Sequence, residues 1–545
     1  MIKFIENHPV ISIICISLLM LLPNLESFVV TIMEARNFIT AREMVNDGHW
    51  VLTTMNGSPR YEKPPLPTWL TAISGMLFGM KSLFALRLPA ALMVTFSGVF
   101  LYLFSEKLTN DKLLSLINAL ILITSFYIVG IINEAPWDIF AHGFMIAGIF
   151  FLFKLFQTSK KKWKNALLAS LFIGFSLMSK GPVSLYALFL PFIISYGIVF
   201  KFQNFKPKVI PFISCVLLFL IIGGWWFLYV RHLDSEAFIT IAQKETSRWG
   251  SYNVKPLYYY WSFFTQTGIW TILALIGLLY PYIIKRVSNK KLYNFSFLWT
   301  LFAVVLLSLI PEKKSRYLVP VLFPLAINTG FYIEYLIQSF NRTSLKKNTC
   351  PVYFNFGLFG LIGLLFPVIV YILLKEKLDG LWINFSIASI VLFGIGITIF
   401  YCLKNKDIKK AFYAKIALMV AVLLFVLPLQ KALYSNSNFN QINDLQESIE
   451  NTRNIKSYTF GTLTPELLWY YDTKIINIKK EDLFELPKDE KFGLLISKQH
   501  LHLLKNLPKT HSAELIEEFD LNYFKKKRDR LIRKYYLITK NSTFE

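Results

Sequence analysis

The sequence predicts a mainly α fold, a polytopic bundle of membrane-crossing helices followed by a small C-terminal α/β domain. Three observations predict it. Of 545 residues, 54% are hydrophobic and 16% aromatic, with 50 Phe and 12 Trp, which is far from the composition of a soluble domain. Apolar stretches of about 20 residues recur between polar breaks, the length an α-helix needs to cross the hydrocarbon layer. From about residue 431 the apolar runs shorten, and strand-like and helical segments alternate.

The first apolar run, Val10–Leu22 extending to Val30, is long enough to cross a bilayer. It lacks a small-residue cleavage pattern and many more spans follow, so it reads as a span and not as a cleaved signal peptide. The expected spans lie near 9–30, 81–104, 113–132, 138–157, 165–179, 182–200, 209–230, 257–283, 293–310, 316–338, 352–374, 381–403 and 411–430, about 13 in all. The fifth and sixth are short and share Asn165–Phe200, which Ser179-Lys180-Gly181-Pro182 breaks. Beyond them, Lys456–Leu463, Lys474–Ile478, Phe492–Lys498 and Lys534–Lys540 resemble strands, and Pro465–Tyr471 and Gln499–Leu507 resemble short helices. The expected domains are therefore 1–430, in the membrane, and 431–545.

Loop charge sets the orientation. With the N-terminus in the cytoplasm, the inside loops hold Lys107/Lys112, Lys160–Lys164, Lys201/Lys206/Lys208, Lys285/Arg286/Lys290/Lys291, Arg342/Lys346/Lys347 and Lys404/Lys406/Lys409/Lys410. Basic linkers with few acids fit the positive-inside rule. This distribution accounts for the net charge of +24 and argues against a nucleic-acid partner. The other face receives Met33–Leu70, Asn133–Trp137, Arg231–Pro256 and Pro311–Arg316, and an odd span number puts the C-terminus there too. The basic run Lys525-Lys526-Lys527-Arg528 is either a solvated surface or a contact for anionic headgroups. Cys15, Cys215, Cys350 and Cys402 have no metal or redox spacing and read as core residues. Walker and Rossmann glycine patterns are absent.

Met33–Leu70 stands out. Inside an apolar chain it carries Glu34, Arg36, Arg42, Glu43, Asp47, His49, Arg60, Glu62 and Lys63. A charged side chain at the bilayer centre costs about 2.5–3.5 kcal/mol, so these residues lie outside the hydrocarbon or line a polar cavity. Ile39, Met44 and Val45 alternate with charges, as in a helix lying along the interface. His49 and Trp50 read as anchors of that segment. Pro64, Pro65 and Pro67 stiffen the backbone and hold Glu62 and Lys63 in a fixed loop. Asn133, Glu134 and Asp138 sit where one expected span hands over to the next, and so do Lys313, Lys314, Ser315 and Arg316. Carboxylates at such a boundary can take a proton from an attacking hydroxyl or amine. Lys and Arg beside them can hold a phosphate and stabilise it as it leaves. Solvated helix-end anchoring is the plain alternative for each residue alone. His142, one turn beyond Asp138, either contacts it on the same helix face or is an ordinary bundle histidine. Tyr258-Tyr259-Tyr260-Trp261 reads as an aromatic belt.

Glu34-Ala35-Arg36, Ala41-Arg42-Glu43-Met44, Gly48, Trp50, Asn56-Gly57, Tyr61-Glu62-Lys63-Pro64-Pro65-Leu66-Pro67 and Trp69-Leu70, in this order and spacing, resemble the first outer loop (here 31–80) of the ArnT-like branch of the protein O-mannosyltransferase superfamily. These are membrane glycosyltransferases of the GT-C type. Ala85-Leu86-Arg87-Leu88-Pro89, Leu177-Met178-Ser179-Lys180-Gly181-Pro182 and Lys314-Ser315-Arg316-Tyr317-Leu318-Val319-Pro320 resemble later elements of that branch. The resemblance implies a GT-C bundle with interfacial helices in the first outer loop and a periplasmic C-terminal domain. It implies inverting transfer of a sugar from a polyprenyl-phosphate donor to an extracytoplasmic acceptor, whether a lipid A-like glycolipid, a glycan or a protein, at the bacterial inner membrane.

Residue by residue, it implies Asp138 as a catalytic carboxylate; for the other, either Glu34 takes over from the family's first-loop Asp, or the base comes from elsewhere, or the activity is altered. It implies Lys63 as a donor-phosphate ligand, with Glu62 beside it and Glu134 in reserve for Asp138; by their own charge and position, Arg60, Lys314 and Arg316 read as helping phosphate ligands and Arg36 as a supporting residue. The family's usual first-loop Asp is Met33 here. The family's Glu-His pair in a later loop corresponds to Lys244–Gly250, which has no His. Metal-independent transfer is therefore expected, with a divalent metal at Glu62 as the alternative and no other cofactor. A transporter or flippase, or a non-catalytic binder of the same lipid-linked sugar, is the competing reading.

Overall fold

The computed structural model describes residues 1–545 apart from 135, 159, 343–345, 435, 441, 443–444, 446–453, 462, 481–482, 485, 509, 525–526 and 542–545. Part of the basic run, at 525–526, and one position of the first expected C-terminal strand, at 462, lie outside the described residues, as do the side chains of Lys346 and Lys347. The chain divides into two units. One comprises Met1–Glu26, Trp50–Leu52 and Arg60–Leu429, the other Ser27–His49, Thr53–Pro59 and Gln430–Glu545.

The first unit is helical. By length and composition, eight helices among the described residues can cross a membrane: Leu83–Thr109, Pro136–Gln157, Lys206–Leu233, Lys290–Leu309, Ser315–Arg342, Asn348–Leu374, Trp382–Lys404 and Ile408–Leu429. A ninth is counted if Lys112–Ile123 and Phe126–Glu134, bent by 43° at Thr124-Ser125, form one span. Pro9–Leu21, Leu66–Phe78 and Leu185–Phe200 are apolar but shorter. The count of thirteen full spans is thus not reproduced, and local chemistry gives the reasons.

The helix expected over 9–30 ends at Leu21, because Pro23 cannot continue it. Asn24 then donates to the carbonyls of Leu423 (2.7 Å) and Leu424 (2.9 Å) in the wide turn Val422–Val426. Wholly buried Arg87 donates to the Leu25 carbonyl (2.5 Å). The Arg of the Ala85–Pro89 element thus satisfies backbone left bare where the helix stops. The span expected over 257–283 is a chain of short pieces, Leu257–Tyr260, Phe263–Trp270, Thr271–Gly277 and Tyr280–Ile283. Gly268 breaks it with φ 60° and ψ −107°. A Cβ there would fall 2.6 Å from the Phe126 Cβ.

Between membrane helices, lipid offers no hydrophobic drive and close packing does the work. Asn348–Leu374 and Trp382–Lys404 meet backbone to backbone, and a Cβ on Gly396 would lie 2.7 Å from the Gly360 carbonyl. Aromatic edges fill the interior elsewhere. Trp299 sits 5.5 Å from Phe104 and 5.3 Å from Phe192, and its indole donates to the Leu188 carbonyl (3.0 Å).

The second unit holds a five-stranded mixed sheet. Its strands are β1 (Ser457–Phe460), β2 (Ile476–Asn477), β3 (Lys491–Ser497), β4 (His511–Asp520) and β5 (Ile532–Lys540), in the order β2-β1-β3-β5-β4. β1 is parallel to β2 and β3, and β5 is antiparallel to β3 and β4. Tyr458, Phe460, Phe492, Leu494, Ile496 and Ile538 form its core. The strand β4 was not expected. It is an edge strand with a bulge at Leu515/Glu517 and mostly exposed side chains, so it lacks the apolar alternation that marks a buried strand.

The helix Ile32–Asp47 belongs to this unit. Thr31 and Glu34 form a capping box at its start, and Gly48 at φ 75° ends it. The expected interfacial stripe is interior here, with Ile39 and Met44 wholly buried. The helix packs on Pro465–Tyr471. Phe38 meets Trp469 at 5.4 Å, and Arg42 pairs with Asp472 (2.9 Å) and donates to the Leu468 carbonyl (3.1 Å).

Candidate functional site

Loop 60–65 of the first unit is built to be rigid. The Tyr61 hydroxyl donates to Asp234 (2.8 Å), and its ring packs edge-on to Trp226. Trp226 and Trp69 donate to the carbonyls of Val51 (2.9 Å) and Trp50 (2.6 Å). Pro64 and Pro65 are buried. Arg60 lies over the Trp137 ring at 5.3 Å, while Glu62 is exposed and Lys63 half-buried.

Trp137 leads directly to Asp138, in the first turn of the helix Pro136–Gln157 and almost wholly buried. The Asp138 carboxylate forms an ion pair with Lys180. Lys180 is the last residue of the helix Lys162–Lys180, next to Gly181 at φ 67°. A cation there also meets the negative end of the helix dipole. The Lys180 ammonium lies 5.4 Å from the centre of the Tyr317 ring and within the fields of Arg316 and Lys314. Lys63 feels the same group. Burial first, and the Lys180 charge second, lower its pKa from 10.5 to about 8, against the pull of Glu245, Asp138 and Glu62.

The third contribution comes from 311–317. Lys314 pairs with Glu312 and lies over Tyr252 (5.0 Å) and Tyr317 (5.6 Å). Its backbone exchanges hydrogen bonds with the Tyr260 hydroxyl, both at 3.1 Å. Lys313 is structural, its buried ammonium donating to the carbonyls of Ile310 (2.7 Å) and Lys255 (3.0 Å). Arg316 has a buried Nε with no hydrogen-bond partner among the described residues. Glu134 accepts from the Tyr127 hydroxyl (2.6 Å), which lies within the fields of Arg316 and Asp138.

The first unit thus brings Lys63, Asp138, Lys180, Lys314 and Arg316 into one electrostatic neighbourhood, with Arg60 and Glu134 at its border. Among the described residues, neither Lys63 nor Arg316 has a carboxylate within ion-pair distance. Lys180 is the residue missing from the sequence-based site. Its signal was a Lys at the end of an apolar helix, inside Leu177–Pro182.

Glu34 and Arg36 lie in the second unit. Glu34 is wholly buried, and its Oε2 accepts the Thr31 amide (3.0 Å) in the capping box. Glu62 is in no group of three potential metal ligands among the described residues. Glu43, Asp47 and His49, in the second unit, do form such a group, but other donors occupy it. Glu43 accepts from the Thr54 hydroxyl and the amides of Asn56 and Gly57, and Asp47 pairs with Lys474 (3.0 Å).

The family model for dolichyl-phosphate-mannose-protein mannosyltransferase matches residues 62–226, the segment that supplies Lys63, Asp138 and Lys180. A protein of Wigglesworthia glossinidia brevipalpis named undecaprenyl phosphate-alpha-4-amino-4-deoxy-L-arabinose arabinosyl transferase is 25% identical over 88% of this chain and 90% of that one. An uncharacterized Aquifex aeolicus protein is 27% identical over 56% of this chain, which spans 59% of that relative. ArnT from Cupriavidus metallidurans, solved bound to undecaprenyl phosphate, superposes with a TM-score of 0.67 at 15% identity, over 98% of this chain and 97% of that one. The fold is that of the ArnT-like GT-C proteins.

Proposed function

We propose that this ArnT-like chain is an integral-membrane, inverting glycosyltransferase that moves a sugar from a polyprenyl-phosphate donor to an extracytoplasmic acceptor. The observation that carries the reading is the pair of cations without acid partners among the described residues, Lys63 and Arg316, beside the buried Asp138–Lys180 pair. Such a site is short of an anion, and a lipid-linked phosphate supplies one. The names of the relatives support the same donor class.

In the reaction, an acceptor hydroxyl or amine attacks the anomeric carbon from the face opposite the phosphate. The new bond forms as the carbon–oxygen bond to phosphate breaks, and the phosphate leaves with the electron pair. The Asp138 carboxylate receives the acceptor's proton. Lys63, Lys180 and Arg316, with Arg60 and Lys314 beside them, meet the charge that grows on the leaving oxygen. At about 4 Å and an effective dielectric near 20, each such contact is worth roughly 4 kcal/mol. No step needs a metal. Glu34, with Arg36 nearby in sequence, is assigned as a second acceptor-side carboxylate on the family resemblance. We place the site and residues 431–545 on the periplasmic side of a bacterial inner membrane, on the evidence of loop charge. The acceptor is a lipid A-like glycolipid, a glycan or a protein.

A transporter would carry its polar groups near the bilayer midplane on broken helices. Here they gather at helix ends, at Asp138 and Lys180, which favours catalysis. The test uses proteoliposomes fed a panel of undecaprenyl-phosphate sugars, with lipid A and envelope extracts as acceptors. Wild type is expected to release undecaprenyl phosphate and label an acceptor. Lys63→Ala and Arg316→Ala should each lose at least about a hundredfold in kcat/KM. Full transfer by both variants refutes the site, and no turnover of any donor refutes the enzyme.

A further inference from the structure

Directly behind Asp138 lies a buried group that the mechanism above does not use. His142 is one turn deeper on the same helix and 1% exposed. Its Nδ1 is 2.7 Å from the hydroxyl of Ser184, itself wholly buried. Among the described residues its Nε2 has no hydrogen-bond partner, and it stands 4.0 Å from Asp138 Oδ1. Ser184 is fixed just past Gly181-Pro182, the turn that ends the Lys180 helix. The charged and titratable groups around Asp138 are otherwise Lys180 from the helix Lys162–Lys180, Lys63 from loop 60–65, Tyr317 and Arg316 from 315–317, and Tyr127 from Phe126–Glu134. His142 itself faces the charges of Asp138 and Lys180.

A neutral imidazole that accepts a hydrogen bond at Nδ1 carries its proton at Nε2. The Ser184 hydroxyl can donate to Nδ1 in that tautomer, which aims an unused N–H at the Asp138 carboxylate. The gap is about 1 Å longer than a hydrogen bond, and the facing oxygen, Asp138 Oδ1, is the one that Lys180 holds. When a donor phosphate arrives, it competes for Lys180.

We propose that His142, oriented by Ser184, is the positioning residue that takes over the Asp138 carboxylate when bound phosphate draws Lys180 away. The carboxylate stays ionised and aimed at the acceptor in the state where its cation is shared. The histidine remains neutral throughout and transfers no proton. This proposal rests on the glycosyl-transfer reading.

The test is the pH profile of kcat/KM in proteoliposomes, with undecaprenyl-phosphate 4-amino-4-deoxyarabinose as donor and lipid A as acceptor. Removing a donor from a carboxylate raises its pKa. His142→Phe should therefore move the acid limb up by about one pH unit and lower kcat, with the donor KM within about twofold of wild type. His142→Gln keeps an N–H at that depth and should restore most of the profile. Ser184→Ala, which removes one oxygen and should fold, is expected to shift the limb the same way by less. An acid limb unmoved in Ser184→Ala and in folded His142→Phe overturns the proposal, as does equal loss in the Gln and Phe variants. Absence of wild-type turnover with this pair and with every other donor and acceptor of the panel above would instead sink the glycosyl-transfer reading.

Discussion

Lys63 should make donor-phosphate binding fade in mildly alkaline solution. Its pKa of about 8, against an ordinary 10.5, follows from burial and from the Lys180 cation. At pH 7 about nine in ten molecules carry the ammonium, and at pH 9 about one in ten. A bound phosphate favours the charged form and so raises this pKa, which means that above pH 8 binding must take up a proton. The apparent affinity for polyprenyl phosphate therefore falls up to about tenfold for each pH unit above 8. The phosphate's own second ionisation, near pH 6, is complete by then and does not contribute. Lys63→Arg carries a guanidinium that does not titrate in this range, so its affinity should stay flat from pH 7 to 9, while Lys63→Ala should be weak and equally flat. The assay is equilibrium binding of a short-chain polyprenyl phosphate to protein in nanodiscs at pH 7, 8 and 9. A wild-type slope no steeper than that of Lys63→Arg refutes the reasoning. Stability runs the other way. Between pH 8 and 10.5 the unfolded chain binds more protons at this residue than the native one, so the Lys63 contribution to stability rises with pH across that window. At pH 7 the charged Lys63 weakens the fold, and Lys63→Met should raise the melting temperature while weakening phosphate binding.

Lys180→Met leaves Asp138 buried without its cation and should cost about 3–5 kcal/mol, read as a lower thermal midpoint in detergent. The double variant Asp138→Asn/Lys180→Met should regain most of that stability but none of the transfer. Glu34→Gln preserves the capping box, since Gln serves at that position as Glu does. Unchanged melting with lost transfer would mark Glu34 as chemical, whereas unchanged transfer would leave it a helix cap alone. Gly268→Ala meets both a positive φ and the Phe126 Cβ at 2.6 Å, so a loss of several kcal/mol is expected, measured as reduced folded yield and midpoint.

Much of the architecture was legible because membrane helices announce themselves by length and hydropathy alone. Failures fell where a single side chain or backbone angle outranks composition. Residues 22–30 are apolar enough to extend the first helix, yet Pro23 stops it, Arg87 takes up the Leu25 carbonyl and Asn24 donates to the turn Val422–Val426. Residues 257–283 have the hydropathy of a span, but Gly268 and Pro281 divide them. In the second unit the polar edge strand β4 gave no period of two, since only its pairing with β5 makes it a strand.

In the candidate site, individual charges were visible but pairings were not. Asp138, Lys63 and Arg316 stood out as ions stranded among apolar residues. Lys180 stood inside a quoted motif and still went unassigned, because it lies 42 positions from its partner. Yet the pairing follows from geometry already contained in the sequence. Pro136–Gln157 and Lys162–Lys180 are consecutive helices joined by a few residues, and a short connection makes neighbours antiparallel. Asp138 lies about 20 residues before that turn and Lys180 about as far after it, and at 1.5 Å per residue both stand near 30 Å from it. Two ends at equal depth must face one another, and a carboxylate buried there requires a cation. Equal depth does not account for Ser184, which lies about seven residues farther from the turn than His142 and meets it because the helix breaks at Gly181-Pro182.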